Sequence, residues 1–434
     1  MARDFDVVVF GASGFTGAEV CIALSKGNLP NVRWAIAGRN LEKLNVIRDR
    51  CQAGPNKPKE MIIANVSDIS SLKKMANRTK IILNCTGPYC FYGEPVVKAC
   101  IETKTHCLDL CGEPEFYDRT LLYHHENAVK AGIVIVHAAA WDSVPADIGV
   151  LLAAKQANSV GKKADYVEVF HRFKGLSSGH VTTYEAAVHG VGSAMGGQLN
   201  KIRKQVAEKF PAFKHAPTGI KPRGAISTSP IGYSLKFPGS DSSVIKYSQR
   251  ILNDRSLCPK VGVFVVIPTF KDFFLVLVLG TIFGILSKFE YGRKQLLLRY
   301  PTLFTLGFFT HKGPSQQELS NGSFETSIIA YQSPASSSSS SPSSSSLSSS
   351  SKPTVSSSVL ICGPEPGYVA TPLLFLAMTS MVLESLTDTP KTHPPPSLNV
   401  VSGCTTPAAL VGVQGIDRLV HKINQLPGFN ISIS

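Results

Sequence analysis

Residues 7–20 read "VVVFGASGFTGAEV": four apolar side chains, then glycines at positions 11, 14 and 17, then a helix-forming composition. A chain that runs straight, turns with little side-chain bulk and at once starts a helix has the order strand, phosphate-binding turn, helix N-terminus. In that order Gly11 ends the strand and permits the tight turn. Gly14 lets the backbone approach a pyrophosphate, and Gly17 lets the helix pack closely on the sheet. Exposed amide groups and the helix dipole then favour an anion at this terminus. The competing interpretation is a glycine turn that binds nothing.

Working outward, short apolar runs alternate with helical patterns as far as residue 140. The runs are "FDVVVFG", "VRWAIAG", "EMIIANV", "KIILNCTG", "THCLDLCG" and "GIVIVHAA". Segments 17–26, 40–50, 69–77, 93–103 and 117–131 between them are long enough for crossover helices. Strands buried on both faces read as unbroken hydrophobic runs, so the rhythm predicts an α/β fold: a doubly wound parallel sheet of six strands, a Rossmann domain over residues 1–150. Beyond it the alternation loosens, and residues 151–332 read as a second, mixed α+β domain. Residues 333–358 are mostly serine with scattered proline, a composition that cannot bury enough apolar area to order the chain, and are expected to be a disordered insertion. Order is expected to return over 359–434, completing the second domain and packing back on the first.

The formal net charge of +14 points to anionic partners: a phosphorylated cofactor, a lipid headgroup surface or nucleic acid. Nucleic acid is the weakest of these, because the basic stretch from Lys201 to Arg223 has few aromatics and no reading motif. Charged residues make up 17% of the chain, sparser than the roughly 25% usual for soluble domains, so some surface is expected to face something other than water. Ten cysteines in a chain of this length do not make a disulfide framework, and the first residues carry charge where a secretory signal needs an apolar core. A reducing, intracellular compartment is expected. "CLDLC" (Cys107 to Cys111) lacks zinc-ligand spacing, and no metal site is expected.

The end of the second strand decides between cofactors. An acidic residue there accepts hydrogen bonds from the ribose hydroxyl of NAD, whereas arginine accommodates the extra phosphate of NADP. The sequence reads "AIAGRN", which puts Arg39 at that position and predicts NADP, with NAD as the alternative and an ordinary solvated arginine as the bland reading. At the end of the fourth strand lies "NCTGPYCFYGEP". Asn84, Thr86, Gly87, Pro88 and Tyr89 are expected to border the nicotinamide, and Tyr89 is a candidate proton donor whose plain alternative is packing in a loop. Asp109, Glu113, Asp142, Ser143 and Asp147 follow later strand ends. Their carboxylates suit proton exchange, Asp142 being the catalytic candidate, and Asp142 and Asp147 equally suit turns and helix caps.

With "FGASGFTG", "AGRNLEKL", "LNCTGPYCFYGEPVVKACI", "CGEPEF", "DSVPADIG", "GSDSSVI", "KGPSQQELSNGSF", "GPEPGYVATP" and "GCTTPAAL" in order along nearly its whole length, the chain resembles the saccharopine dehydrogenase-like oxidoreductases. The resemblance implies a Rossmann domain joined to a mixed domain, and cofactor contacts at Gly11, Ser13, Gly14, Phe15 and Arg39 with "NCTGPY" beside the nicotinamide. It also implies oxidoreductase chemistry and association with lipid droplets or other membranes. It does not imply saccharopine as substrate. The chain departs from the family at Ala140 and Trp141, in "SSGHVTTYEAAVHG", and in the serine tract, which weakens any inference about substrate.

"FFLVLVLGTIFGIL" (273–286) is an uninterrupted apolar run, as a helix about 21 Å long against a hydrocarbon thickness near 30 Å, and reads as too short to span. Lys288, Arg293, Lys294 and Arg299 follow. Apolar segments alternating with basic clusters suit a helix lying in one leaflet, with its cations on anionic headgroups. A buried helix or a homodimer contact is the alternative. The reading is then an NADP(H)-dependent oxidoreductase acting on a small-molecule or lipid substrate at the cytosolic face of a lipid droplet or other membrane, the mitochondrion being another compartment open to it. A cofactor-binding structural or sensor protein of droplets without turnover is the competitor.

Overall fold

The computed structural model describes residues 3–175, 178–229, 232–334, 353–387, 398–400 and 402–434. The first half runs β1 (Phe5–Phe10), α1 (Phe15–Ser25), β2 (Trp34–Gly38), α2 (Leu41–Arg50), β3 (Met61–Ile63), α3 (Ile69–Ala76), β4 (Thr79–Asn84), α4 (Tyr89–Thr103), β5 (His106–Asp109), α5 (Pro114–Ala131), β6 (Val134–Val136) and α6 (Val144–Ser159). The six strands expected from the apolar runs all form. The second half runs β7 (Tyr166–Lys174), β8 (Gly179–His180), α7 (Val181–Met195), α8 (Gln198–Lys209), β9 (Ile226–Ser229), β10 (Gly232–Lys236), α9 (Asp241–Leu252), β11 (Lys260–Ile267), α10 (Phe270–Lys288), α11 (Pro301–Phe304), β12 (Phe309–Thr310) and α12 (Gln316–Asn321). It ends with β13 (Ser323–Gln332), β14 (Thr354–Pro364), α13 (Thr371–Thr387), β15 (Gly403–Thr405), α14 (Pro407–Asn424) and β16 (Asn430–Ile433).

The first sheet is parallel, in the order β15-β6-β5-β4-β1-β2-β3. The reversal of strand order at β1 and β4 opens the crevice where doubly wound sheets hold ligands. The sheet has seven strands rather than the expected six, because β15, contributed from near the chain's end, pairs with β6 from Gly403↔Val134 to Thr405↔Val136. "GCT" is too short a run to declare itself a strand without its partner.

The second sheet is mixed, ordered β16-β14-β13-β7-β11-β10-β9, with β7 and β11 parallel and the other pairs antiparallel. Helix α6 joins the two halves. Twelve of its residues are buried, and Gly149 leaves only enough room for the Ile328 side chain, to which an added Cβ would come within 2.7 Å. The C-terminal region divides between the halves: β15 extends the first sheet and β16 edges the second.

Strand β14 begins at Thr354, inside the stretch read as a serine-rich insertion over 333–358. Its serines are strand residues because they find partners. Ser356 and Ser357 are buried, and Ser357 Oγ donates to the Ala153 carbonyl at 2.7 Å. Residues 335–352 of that expected insertion lie outside the described residues.

Candidate functional site

The glycine turn after β1 is built as its spacing demands. Gly11 takes a positive φ of 83°, and a Cβ there would meet the Cys85 carbonyl at 2.9 Å, so the turn presses against the end of β4. A Cβ at Gly17 would lie 2.2 Å from the Gly11 carbonyl oxygen, which sets how closely α1 packs on the turn. Gly14 is exposed and is the N-cap residue of α1; no side chain caps the helix, and its first turn carries no carboxylate. The leading N–H groups of α1 are therefore left for an anion.

Next to this turn, β2 ends at Gly38, whose missing side chain would stand 3.6 Å from Ser13 Oγ. Arg39 follows, exposed and without an ion pair among the described residues, and Asn40 caps α2 by accepting from Lys43 N at 2.9 Å. The first acid beyond β2 is Glu42, inside the first turn of α2.

At the end of β4, the Asn84 Oδ1 accepts from Thr86 N at 3.1 Å and from Thr86 Oγ1 at 2.5 Å, while its buried Nδ2 has no acceptor among the described residues. Gly87 and Pro88 complete the turn and Pro88 is the N-cap residue of α4. The Tyr89 hydroxyl donates to the Asn84 carbonyl at 2.8 Å and accepts from Leu110 N at 3.2 Å. Burial, then the nearby Asp109 carboxylate, push this phenol well above its ordinary pKa. Glu113, four residues past β5, reaches back to accept from Tyr89 N at 2.7 Å and Cys90 N at 2.8 Å, capping α4 from another element. Burial raises its pKa against the pull of those two amides.

Two further carboxylates turn out to organise backbone. Asp109 accepts from Ala138 N and Cys111 N, both at 3.1 Å, and meets His137 Nδ1 at 2.6 Å in a fully buried pair. Asp147 accepts from Ala408 N and Ser248 Oγ, each at 2.8 Å, so it caps α14 from within α6. Its carboxyl is pushed up to about 7, chiefly by burial.

Asp142 differs. It is only half-buried, beside exposed Gly112, and a Cβ at Gly112 would lie 2.9 Å from its Oδ2. Its Oδ1 accepts from Ser240 Oγ at 2.9 Å and Ser143 Oγ at 3.2 Å, and the two serine hydroxyls are themselves 2.9 Å apart. Behind it lies buried Asp241, whose Oδ2 meets His171 Nε2 at 2.7 Å, while His171 Nδ1 meets Thr326 Oγ1 at 2.9 Å. Burial raises the pKa of Asp142, and the Asp241 carboxylate raises it further. At Asp241 burial works in the same direction but is outweighed by the hydrogen bond and charge of His171, which leave its pKa lowered.

His171, Ser240 and Asp241 were not singled out from sequence. Ser240 and Asp241 sit in "GSDSSVI", noted only as part of the resemblance, and His171 lies in a strand whose neighbours in space come from three distant segments.

The second half closes over the glycine turn. The Phe15 ring stacks on His180 at 4.8 Å and meets Tyr368 edge-on at 4.7 Å, and the Tyr368 hydroxyl accepts from His180 N at 2.8 Å. Gly313 must lack a side chain because a Cβ there would meet the Phe15 ring at 2.7 Å.

Away from this crevice, α10 runs for 19 residues, about 28 Å, rather than the 14 read from the apolar run. Thr269 caps it by accepting from Asp272 N at 3.1 Å, so Phe270, Lys271 and Asp272 join the first turn. By length and composition it is one of two helices among the described residues able to cross a membrane, which corrects the expectation that it is too short. The other, Pro366–Leu386, is mostly buried, whereas α10 buries only Phe273 and Ser287. One face of α10 is covered by α7, with Phe283 against Tyr184 at 5.7 Å. Phe274, Val278, Ile282 and Ile285 form a stripe that is 60%, 40%, 41% and 57% exposed. Leu303, Leu306 and Phe308 add exposed apolar surface nearby in sequence. Of the cations expected to meet headgroups, Lys294 pairs with Glu290 at 2.6 Å and Arg293 donates to the Ser287 carbonyl at 2.7 Å. Lys288 and Arg299 form no ion pair among the described residues.

In the basic stretch 201–223, Arg203, Lys209 and Arg223 pair with Asp118, Glu126 and Glu168 at 2.8 to 3.2 Å.

Comparison with known proteins agrees with this geometry. Residues 7–136 match the family described as "Saccharopine dehydrogenase NADP binding domain". The mouse "Saccharopine dehydrogenase-like oxidoreductase" is 34% identical over 407 residues, covering 90% of this chain and 91% of the mouse protein. A Caenorhabditis elegans protein named "Lipid droplet localized protein" is 29% identical and covers 89% of this chain and 91% of its own. Among solved structures, apo saccharopine dehydrogenase (L-Glu forming) of Saccharomyces cerevisiae superposes with a TM-score of 0.53 at 13% identity, covering 99% of this chain and 100% of that one, a likeness of fold. The glycine turn, the doubly wound sheet, the mixed second sheet and this similarity over nine-tenths of the sequence agree: the chain belongs to the saccharopine dehydrogenase-like oxidoreductases and carries their nicotinamide-dinucleotide-binding domain.

Proposed function

We propose that this protein is an NADP(H)-dependent oxidoreductase acting on a lipid-like substrate while seated on a membrane or lipid-droplet surface. The observation that carries the reading is the uncapped, glycine-lined start of α1 beside Arg39, with no acid at the end of β2. That combination suits a diphosphate and a ribose phosphate, and NAD is the other cofactor such a turn accepts. In this reading Gly11, Ser13, Gly14, Phe15 and Gly17 line the diphosphate, and Asn84, Thr86, Gly87 and Pro88 border the nicotinamide. The unpartnered Asn84 Nδ2 supports this, since a buried amide without an acceptor is costly and a ligand supplies one.

Bound there, the cofactor supplies hydride chemistry; the chain's own part is orientation and exclusion of water. Phe15, His180 and Tyr368 cover the turn, and Asp142, beside Gly112, has its pKa raised by burial and by Asp241, which suits a proton donor. Tyr89, whose single donor is spent on the Asn84 carbonyl, acts in this reading as a positioning residue for that turn rather than as the proton donor expected from sequence.

The exposed stripe of α10 supports the surface half of the reading, as does the name of the nematode relative. Because α7 packs along α10 and carries Glu185 and His189, the helix lies in one leaflet instead of crossing; a full span would take those groups into lipid. A homodimer contact is the other use of this face, and sedimentation with and without vesicles separates the two.

A second reading, a cofactor-binding droplet protein without turnover, draws on the commitment of Tyr89 and Glu113 to structural hydrogen bonds. Single-turnover oxidation of bound NADPH by lipid extracts decides: oxidation is expected, and tight binding with no oxidation across lipid and amino-acid extracts favours the second reading. NADH binding as tight as NADPH binding would remove the NADP preference.

A further inference from the structure

The geometry points to Asp142 and Asp241 as a carboxyl–carboxylate pair sharing one proton, with Asp142 the acid that protonates the substrate and Asp241, fixed by His171, the group that keeps Asp142 charged with that proton. This inference rests on the oxidoreductase reading.

Three features carry it. The first is a short supply of donors: Asp241 is buried, its Oδ2 is taken by His171, and the Ser143 hydroxyl beside it, among the described residues, is shared with Asp142 and Ser240. Asp142 is its neighbour, tied at 2.9 Å to Ser240, the residue before Asp241, and a proton on Asp142 supplies a further donor. Two adjacent carboxyls in such a site strongly disfavour ionising together, so at rest one keeps its proton. The second is asymmetry. The imidazole holds Asp241 ionised, whereas Asp142 receives only two neutral serine hydroxyls, so the proton resides on Asp142. The third is access. Asp142 is partly exposed in the segment between β6 and α6, and its Oδ2 lies beside exposed Gly112, where any side chain would press on it.

The other ionisable group close to the pair is Asp147, which acts on Asp241 by charge and is occupied in capping α14. Thr326 holds the far nitrogen of His171, while Trp141 and Phe237 pack on its ring at 5.4 and 4.9 Å. Trp141 thus packs on the imidazole that backs the pair.

In the proposed step the Asp142 O–H bond breaks and its proton bonds to a lone pair on the substrate's oxygen or nitrogen. Asp142 is left as a carboxylate beside the Asp241 carboxylate. That repulsion makes Asp142 take up a replacement proton from hydronium or a buffer acid of the solvent, whose conjugate base stays in bulk, and the pair resets.

The test is infrared difference spectroscopy of the full chain without cofactor, following the protonated-carboxyl C=O stretch as pH is raised. A carboxyl still protonated at pH 7 is expected. The isosteric Asp142→Asn should abolish its signal, and Asp241→Asn, by removing the like charge, should lower its titration midpoint by about one pH unit or more. Asp147→Asn separates the contribution of Asp147 and should leave the Asp142 signal in place.

A wild-type chain with no carboxyl protonated at pH 7 overturns the inference without needing any variant. So does a signal indifferent to both Asp142→Asn and Asp241→Asn. Once a reducible substrate is found, NADPH oxidation with an unchanged pH profile in Asp142→Asn overturns the catalytic assignment alone. The expected spectrum with no NADPH oxidation by any extract overturns the oxidoreductase reading instead.

Discussion

Charging the exposed stripe of α10 tests the surface half of the proposed function most directly. Phe274 and Ile285 are eleven residues apart, three turns of helix, and face the same side with Val278 and Ile282 between them. Fully burying a side chain of this size is worth about 1.5–3 kcal/mol, and each of the four is roughly half exposed, so each has about 1 kcal/mol to gain from lipid. Phe274→Glu with Ile285→Glu therefore forgoes about 2 kcal/mol. Two carboxylates in the interfacial region add about 1 kcal/mol or more. At 1.4 kcal/mol per tenfold, partition onto vesicles should fall about 100-fold.

Exposed positions lose no packing on substitution, so folded stability should change by no more than about 0.5 kcal/mol. Flotation with neutral and anionic vesicles and with triglyceride droplets reads the partition, and thermal denaturation confirms the fold. Binding that survives both substitutions in a folded protein refutes the reasoning, because the surface would then be held by something other than this stripe.

Other consequences concern the first half of the chain. Gly17→Ala places a methyl group against the Gly11 carbonyl and should cost about 1–3 kcal/mol or abolish folding, read as a lower thermal midpoint. Gly14→Ala, at an exposed turn with the nearest atom at 3.2 Å, should fold normally and lose dinucleotide affinity in calorimetry. Arg39→Ala should weaken NADPH binding about tenfold, the worth of a charge-assisted contact, and leave NADH binding unchanged in the same titration. Asp147, at about 7 in the folded chain against 3.8 ordinarily, should make stability fall as pH rises from about 4 to about 7 and level off above. Across that interval the unfolded chain has released a proton that the folded chain retains. The effect is bounded near 4 kcal/mol, and Asp147→Asn should flatten this part of the stability–pH curve in denaturant titrations.

Local chemistry was legible wherever function depends on neighbours in sequence. The turn after β1 works through glycines three residues apart, so its conformation follows from spacing alone. The six apolar runs marked their strands for the same reason, since a strand covered on both faces must be apolar throughout. The cofactor expectation at Arg39 needed only one strand end. The carboxylates were different. Asp109, Glu113, Asp142 and Asp147 are the same kind of residue at similar strand ends. Whether each caps, braces or exchanges a proton depends on which distant group lies opposite: His137, the amides of Tyr89 and Cys90, Ser240 with Asp241, or Ala408.

The linear chain thus determined where a dinucleotide-binding turn forms and that one helix is too apolar for an ordinary surface. It could not show that β15 completes the first sheet, that Tyr89 spends its proton on a carbonyl, or that His171 backs the Asp142–Asp241 pair. Strand β15 meets β6 at Gly403 and Val134, His171 meets Asp241 across 70 residues, and the Tyr89 hydroxyl, though five residues from Asn84, is also held by the amide of Leu110. Burial and hydrogen bonding act through space, and for residues so far apart in sequence only the folded arrangement decides which of them meet.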